Sequence, residues 1–155
     1  MKYISPLALF AIALFSSTAN AELDLCPRNV KLFDYEDDEF YFPTTQDSEH
    51  EICLDIKGEF KVDLPPIGSE IVFLAKKGNI KKDWRVNLYG ALKLPTSDKL
   101  PIRAGFSDTV RVCSYLPGEF RYTKRTEIKF GVQILLPGEQ HEQIAVCLNG
   151  DLKLL

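Results

Sequence analysis

The sequence predicts an all-β protein: an immunoglobulin-like β-sandwich of about 7–9 antiparallel strands, tied by two disulfides, with sheets that can splay around an apolar cavity. Three observations lead there. Apolar residues alternate with polar ones at period two through most of the chain, no window shows an i, i+3, i+4 apolar stripe, and turn residues punctuate the alternating runs at short intervals. The 155 residues are 45% hydrophobic and 11% aromatic, which excludes a disordered chain.

The first 21 residues read as a secretory signal peptide. Lys2 gives the positive start, Ile4 to Phe15 is apolar apart from Ser5 and Pro6, and Ala19-Asn20-Ala21 offers small residues for cleavage before Glu22. The stretch is shorter than the ~20 apolar residues a bilayer-spanning helix needs. Residues 22–155 are then a single domain, expected to be secreted, or luminal or periplasmic. Loss of the leader removes Lys2 alone among charged residues, taking the net charge from −3 to −4. A mildly acidic domain of this size does not suit a nucleic-acid partner.

Residues 58–64 place Phe60, Val62 and Leu64 on one face and Glu59, Lys61 and Asp63 on the other, before Pro65-Pro66 ends the strand. Residues 84–94 set Trp84, Val86, Leu88, Leu92 and Leu94 against Arg85, Asn87, Tyr89 and Lys93, a long strand with a bend or bulge at Gly90. Residues 126–136 alternate Ile128, Phe130, Val132, Ile134 and Leu136 with mostly polar neighbours. After Pro137 to His141 the pattern restarts with Ile144, Val146 and Leu148, so these two runs predict a terminal hairpin. Weaker strands are expected at 29–35, 51–57, 69–75, 108–116 and 119–123.

Cys26, Cys53, Cys113 and Cys147 all follow the leader, and an even number in an oxidising compartment predicts two disulfides. The gaps lack C-x-x-C and histidine spacing, which argues against zinc or a redox pair. Three pairings can be drawn. Cys26 with Cys147 and Cys53 with Cys113 is favoured, because a first-to-last link clamps both ends of the domain.

Charge is unevenly spread. Residues 34–51 carry eight acids and no Lys or Arg, while 76–85 hold Lys76, Lys77, Lys81, Lys82 and Arg85, and a second basic run holds Arg121, Lys124, Arg125 and Lys129. Solvated loops and outer strand faces account for such runs. The sharper reading sets the basic loops against an anionic membrane surface or an extracellular receptor. The acidic run lacks the glycine-turn calcium loop, so no metal is expected. His50 and His141 sit in polar, turn-like contexts, and G-x-S-x-G, H-E-x-x-H and P-loop motifs are absent. The expectation is a protein without catalytic residues or cofactor.

The order of features resembles the ML lipid-recognition family. A leader is followed by an early Cys26, a cysteine strand at Cys53 and a long strand with Asn87-Leu88-Tyr89. Then come Cys113-Ser114-Tyr115-Leu116-Pro117-Gly118-Glu119, an aromatic segment with Phe120 and Tyr122, and a last strand with Ala145-Val146-Cys147-Leu148. In that family a late cysteine pairs with an early one, which supports Cys26 with Cys147. The chain departs in having four cysteines where six or more are usual, without the close-spaced middle pair. The resemblance implies a secreted sterol- or glycolipid-binding β-sandwich that holds a fatty acyl chain, sterol or glycolipid between its sheets. The residues expected to line that space are Phe60, Phe73, Trp84, Val86, Leu88, Phe120, Tyr122, Phe130, Val132 and Ile134, with Val110 and Val146 beside them. The alternative is an extracellular protein- or glycan-interaction module with a solid immunoglobulin-like core, since period two does not separate a hollow core from a filled one.

Overall fold

The computed structural model describes residues 20–26, 32–41, 51–93, 96, 100–120, 127–138 and 140–153. Among these residues eight strands form two antiparallel sheets, and each sheet carries one disulfide, Cys26–Cys147 in the larger and Cys53–Cys113 in the smaller, the pairing the sequence favoured. The larger sheet has the order β1-β8-β7-β4-β5 and the smaller β2-β3-β6. In the larger sheet β1 is Asn20–Leu25, β4 Glu70–Lys77, β5 Ile80–Asn87, β7 Glu127–Leu136 and β8 Gln143–Lys153. In the smaller, β2 is Phe33–Tyr41, β3 Glu51–Phe60 and β6 Val110–Tyr115.

The terminal hairpin β7–β8 and strands β4 and β6 lie where alternation placed them, to within one or two residues. Other expectations are corrected. The two runs at 51–57 and 58–64 are one strand, β3, which ends at Phe60 and bends at Lys61-Val62. It continues through Gly58 because Phe33 of β2 lies over that glycine; a Cβ there would collide with the Phe33 ring and the Asp34 carbonyl oxygen. The strand expected at 29–35 is β2, shifted to Phe33–Tyr41, with 29–31 outside the described residues. The part of the acidic run that it carries is thus an edge strand. Exposed Asp34, Glu36, Asp37 and Glu39 there oppose pairing with another chain. In place of a strand at 119–123, Gly118–Phe120 form a 3-10 turn, and 121–126 lie outside the described residues.

The largest difference concerns residues 84–94. β5 stops at Asn87, whose side chain accepts a hydrogen bond from the Gly90 N–H at 3.2 Å and starts a single helical turn, α1 (Leu88–Ala91). The chain then joins the other sheet: Leu92 bridges Val112, and the Lys93 N–H donates to the Arg111 carbonyl at 3.0 Å. Period-two reading passed over this turn because Leu88 and Leu92, four apart, share a face at period two and in a helix alike. β1 was not anticipated; it begins two residues inside the segment read as the leader, and its alternation of Glu22, Leu23, Asp24 and Leu25 is short.

Cys26–Cys147 ties the end of β1 to β8 across 121 residues of chain, whereas Cys53 and Cys113 are register partners on β3 and β6. Replacing Cys26 and Cys147 together by alanine should cost about 2–5 kcal/mol, given the long loop that is closed. Urea unfolding of the oxidised double variant measures this, and a loss under 1 kcal/mol would contradict it.

Candidate ligand-binding interior

Both sheets turn their apolar alternation inward. The larger contributes Ile71 and Phe73 from β4 and Ile128, Phe130, Val132, Ile134 and Leu136 from β7; the smaller contributes Ile52, Leu54, Ile56 and Phe60 from β3 and Val110 and Val112 from β6. Of the residues the sequence nominated for lining, Phe60, Phe73, Leu88, Phe120, Phe130, Val132 and Ile134 are buried in one cluster, and Trp84 and Val86 pack half-buried against it. Val110 and Val146 belong to it too. Tyr122 lies outside the described residues.

An aromatic group spans β7, β4 and β5, on the β5 side of the larger sheet. Phe73 and Trp84 are opposite residues on β4 and β5 and stack with ring centroids 5.5 Å apart; Phe130 stands 6.2 Å from Phe73 and 6.5 Å from Trp84. These separations lie in the favourable range for aromatic pairs. The Trp84 indole N–H donates to the Ser114 hydroxyl at 2.9 Å, so the edge strands β5 and β6 are linked across the gap between sheets.

The two ends of the sandwich differ. At one end residues 60–64 and 102–106 run antiparallel: Phe60 N–H to Phe106 O and Leu64 N–H to Ile102 O are each 3.0 Å. The Tyr89 hydroxyl donates to the Leu64 carbonyl and accepts from the Ile102 N–H at 3.1 Å, closing that end. Burial pushes the Tyr89 phenol above its ordinary value, against the opposing effect of the Ile102 N–H. At the other end the inward positions of β5 come out into solvent. Lys82 sits opposite buried Ala75 and Ile80 opposite Lys77, yet both are exposed. Lys82 reaches Glu119 on the 3-10 turn at 3.0 Å. The Glu119 carboxyl is held below its ordinary value by its own backbone N–H first and by Lys82 second. Its link to Lys82 therefore persists through mildly acidic pH and is lost only as pH falls through that depressed value.

Sequence reasoning missed Ile52, Leu54 and Ile56, although their alternation was visible, and Leu64 and Ile102 at the closed end. It also gave no role to Tyr89 or Ser114, since a polar bridge between distant segments leaves no local signal. The basic run at 76–85 is corrected from a loop to the β4–β5 hairpin. There Lys82 and Arg85 hold carboxylates, Arg85 bonding Glu70 at 3.1 Å and Glu142 at 2.7 Å. Of the second run, Arg121, Lys124 and Arg125 lie outside the described residues, and Lys129 is exposed on β7. His141 is exposed beside β8; His50 lies outside the described residues. Glu51 lies near Cys53 and Cys113, but those sulfurs are bonded to each other, which leaves a single carboxylate and no metal site there.

The two disulfides fit an oxidising extracellular environment. Among the described residues, no helix is long and apolar enough to cross a membrane. No family model and no curated protein matches this chain.

Replacing Tyr89 with phenylalanine leaves the Ile102 N–H and the Leu64 carbonyl without their partner. It should lower unfolding free energy by about 1–3 kcal/mol. Denaturant unfolding checks the value, and hydrogen exchange at Ile102 should quicken.

Proposed function

We propose that this protein is a secreted lipid-binding or lipid-transfer protein of the ML kind, without catalytic activity, that takes a fatty acyl chain, sterol or the tail of a glycolipid between its sheets. The observation that carries the reading is the course of the apolar interior. Among the described residues it runs without a charged side chain from the end closed by Tyr89 to the aromatic group of Phe73, Trp84 and Phe130, beside the overhanging β4–β5 hairpin. The ligand is read as entering at the Lys82 and Glu119 end, where the inward face of β5 is uncovered. Each methylene buried there stabilises by about 0.8 kcal/mol, so one long tail suffices for binding without polar recognition. The leader and the two disulfides support secretion. Exposed Lys82 at this entry end suits an anionic membrane from which a lipid is collected.

Trp84 is the chain's single tryptophan, which makes the test direct. Acyl chains and sterols carrying bromine should quench Trp84 emission with a stoichiometry of about one, and native mass spectrometry of the secreted protein should show a co-purifying lipid. Ala75, buried next to Phe130 at the open end, gives the matched variant: Ala75→Phe would obstruct the proposed path of the ligand and should reduce uptake about tenfold or more, with a melting curve to establish folding. An apo mass together with unquenched Trp84 would overturn the lipid reading in favour of a solid-core interaction module.

A further inference from the structure

The outward face of the larger sheet carries a recess of about 470 Å³, separated from the interior by the sheet itself. It exists because Gly131 lies between Leu74 of β4 and Asn149 of β8. A Cβ on Gly131 would stand 3.4 Å from the Leu74 side chain and from the Leu148 carbonyl oxygen, so larger residues would fill the floor.

Register sets three lysines side by side along one wall. Lys81 is opposite Lys76, Lys76 is opposite Lys129, and Asp151 takes the fourth place in the row. Like charges on directly opposite residues oppose folding. Lys61, Lys82, Arg85 and Arg111 each hold a carboxylate; among the described residues none of these three lysines does. Among the described residues Asp151 is the one acid lining the recess; Asp83 lies at its edge opposite Leu74, Asp24 opposite Asn149, and Glu127 lines a second hollow beyond the lysine row. The facing wall is uncharged. The Gln133 amide donates to Cys147 Sγ and the Asn149 amide to Cys26 Sγ, each at 3.6 Å, which fixes both amide groups beside the disulfide with their oxygens as acceptors.

We propose that this recess binds an acidic saccharide, with the sulfate or carboxylate of the sugar on the row Lys76, Lys81 and Lys129, and its hydroxyls on Gln133, Asn149 and Asp151. Clustered ammonium groups answer a group of more than one negative oxygen, and side-chain amides with a single carboxylate answer hydroxyls. A concave site requires a ligand that enters it. Among the described residues none of the exposed large hydrophobics, Leu25, Ile67, Ile80, Leu100 and Tyr115, lines it, so none of them is placed there to insert into a bilayer. This site is independent of the interior and does not rest on lipid binding.

Calorimetric titration of the oxidised protein with a heparin-derived hexasaccharide, its desulfated counterpart and phosphatidylserine vesicles tests the assignment. The sulfated sugar should bind, and the desulfated one, which keeps only its carboxylates, should bind more weakly. Lys76→Gln with Lys129→Gln should weaken binding by about tenfold or more, as expected for two lost charge-assisted contacts. Gly131→Ser, which fills the floor without changing charge, should also weaken it. Melting curves of the variants establish folding, and Trp84 quenching by lipid should be unchanged in both. Absence of binding, binding that neither variant alters, or preference for the vesicles would overturn the proposal.

Discussion

At about 4.8 Å between strands, a five-stranded sheet is roughly 10 Å wider than a three-stranded one. If both are apolar on their inner faces, the smaller leaves part of the larger uncovered. The connections of this protein meet that constraint. Leu88, Ala91 and Leu92 from the crossover after β5, Leu64 and Ile102 from the closed end, and Leu116 and Phe120 after β6 are all buried in the same cluster as the strand residues. The crossover is the step on which the others depend. By ending β5 at Asn87 and pairing Leu92 with Val112, it carries the chain from the edge of one sheet to the edge of the other and holds β5 and β6 side by side. The Trp84 to Ser114 hydrogen bond and the Tyr89 hydroxyl act within the frame so fixed.

Polar groups outside the interior are arranged to hold the smaller sheet together. Asp55 is buried on its outer face, and Arg111 opposite it donates through Nε and Nη2 at 2.7 Å each, a bidentate pair across β3 and β6. Removing either partner would strand the other, which makes the pair a strong requirement on register even where its net contribution to stability is small. The neighbouring pair in the same face is Cys53 with Cys113, so two successive outward positions of β3 are bonded to β6 by side chains as well as by backbone. Thr96 continues the edge, donating to the Thr109 carbonyl and accepting from the Arg111 N–H. A sheet of only three strands, with an acidic edge at β2, gains from such ties what a wider sheet obtains from more strands.

The fold class and most strands were legible because half-buried antiparallel strands write their burial directly into alternation, as Phe130, Val132 and Ile134 do on β7. The number of cysteines predicted two disulfides, and of three pairings the favoured one is the one formed. What escaped was information held between distant segments. Nothing local to Ile102 marks it as core, and its burial follows from pairing with residues around Leu64. The helical turn at Leu88–Ala91 was hidden by a pattern compatible with both periods. The nominated interior residues were found together since inward-facing positions of facing sheets must meet. The lysine row was different. Lys76, Lys81 and Lys129 belonged to two separate basic runs, and only the register of β4 with β5 and β7 makes them neighbours.

The same register also explains why the two ends of the sandwich are unlike. Along β5 the inward positions Val86 and Trp84 are half-buried, and Lys82 and Ile80 are exposed, so the strand outruns the core it covers. A strand that served packing alone would end in a turn near Trp84. The chain continues instead to Gly78, where a φ of +56° closes the hairpin beyond the core edge. The overhang places a charged residue, Lys82, where alternation calls for an apolar one, and joins it to Glu119 next to buried Phe120. An exposed ion pair of this kind contributes little to stability and is readily broken and remade. At the opposite end the hydroxyl of half-buried Tyr89 bonds two backbone segments at once, an arrangement costly to open. On the proposed lipid reading, a ligand would therefore enter between the sheets at the Lys82 and Glu119 end, where the aromatic group of Phe73, Trp84 and Phe130 would be the first apolar surface it meets.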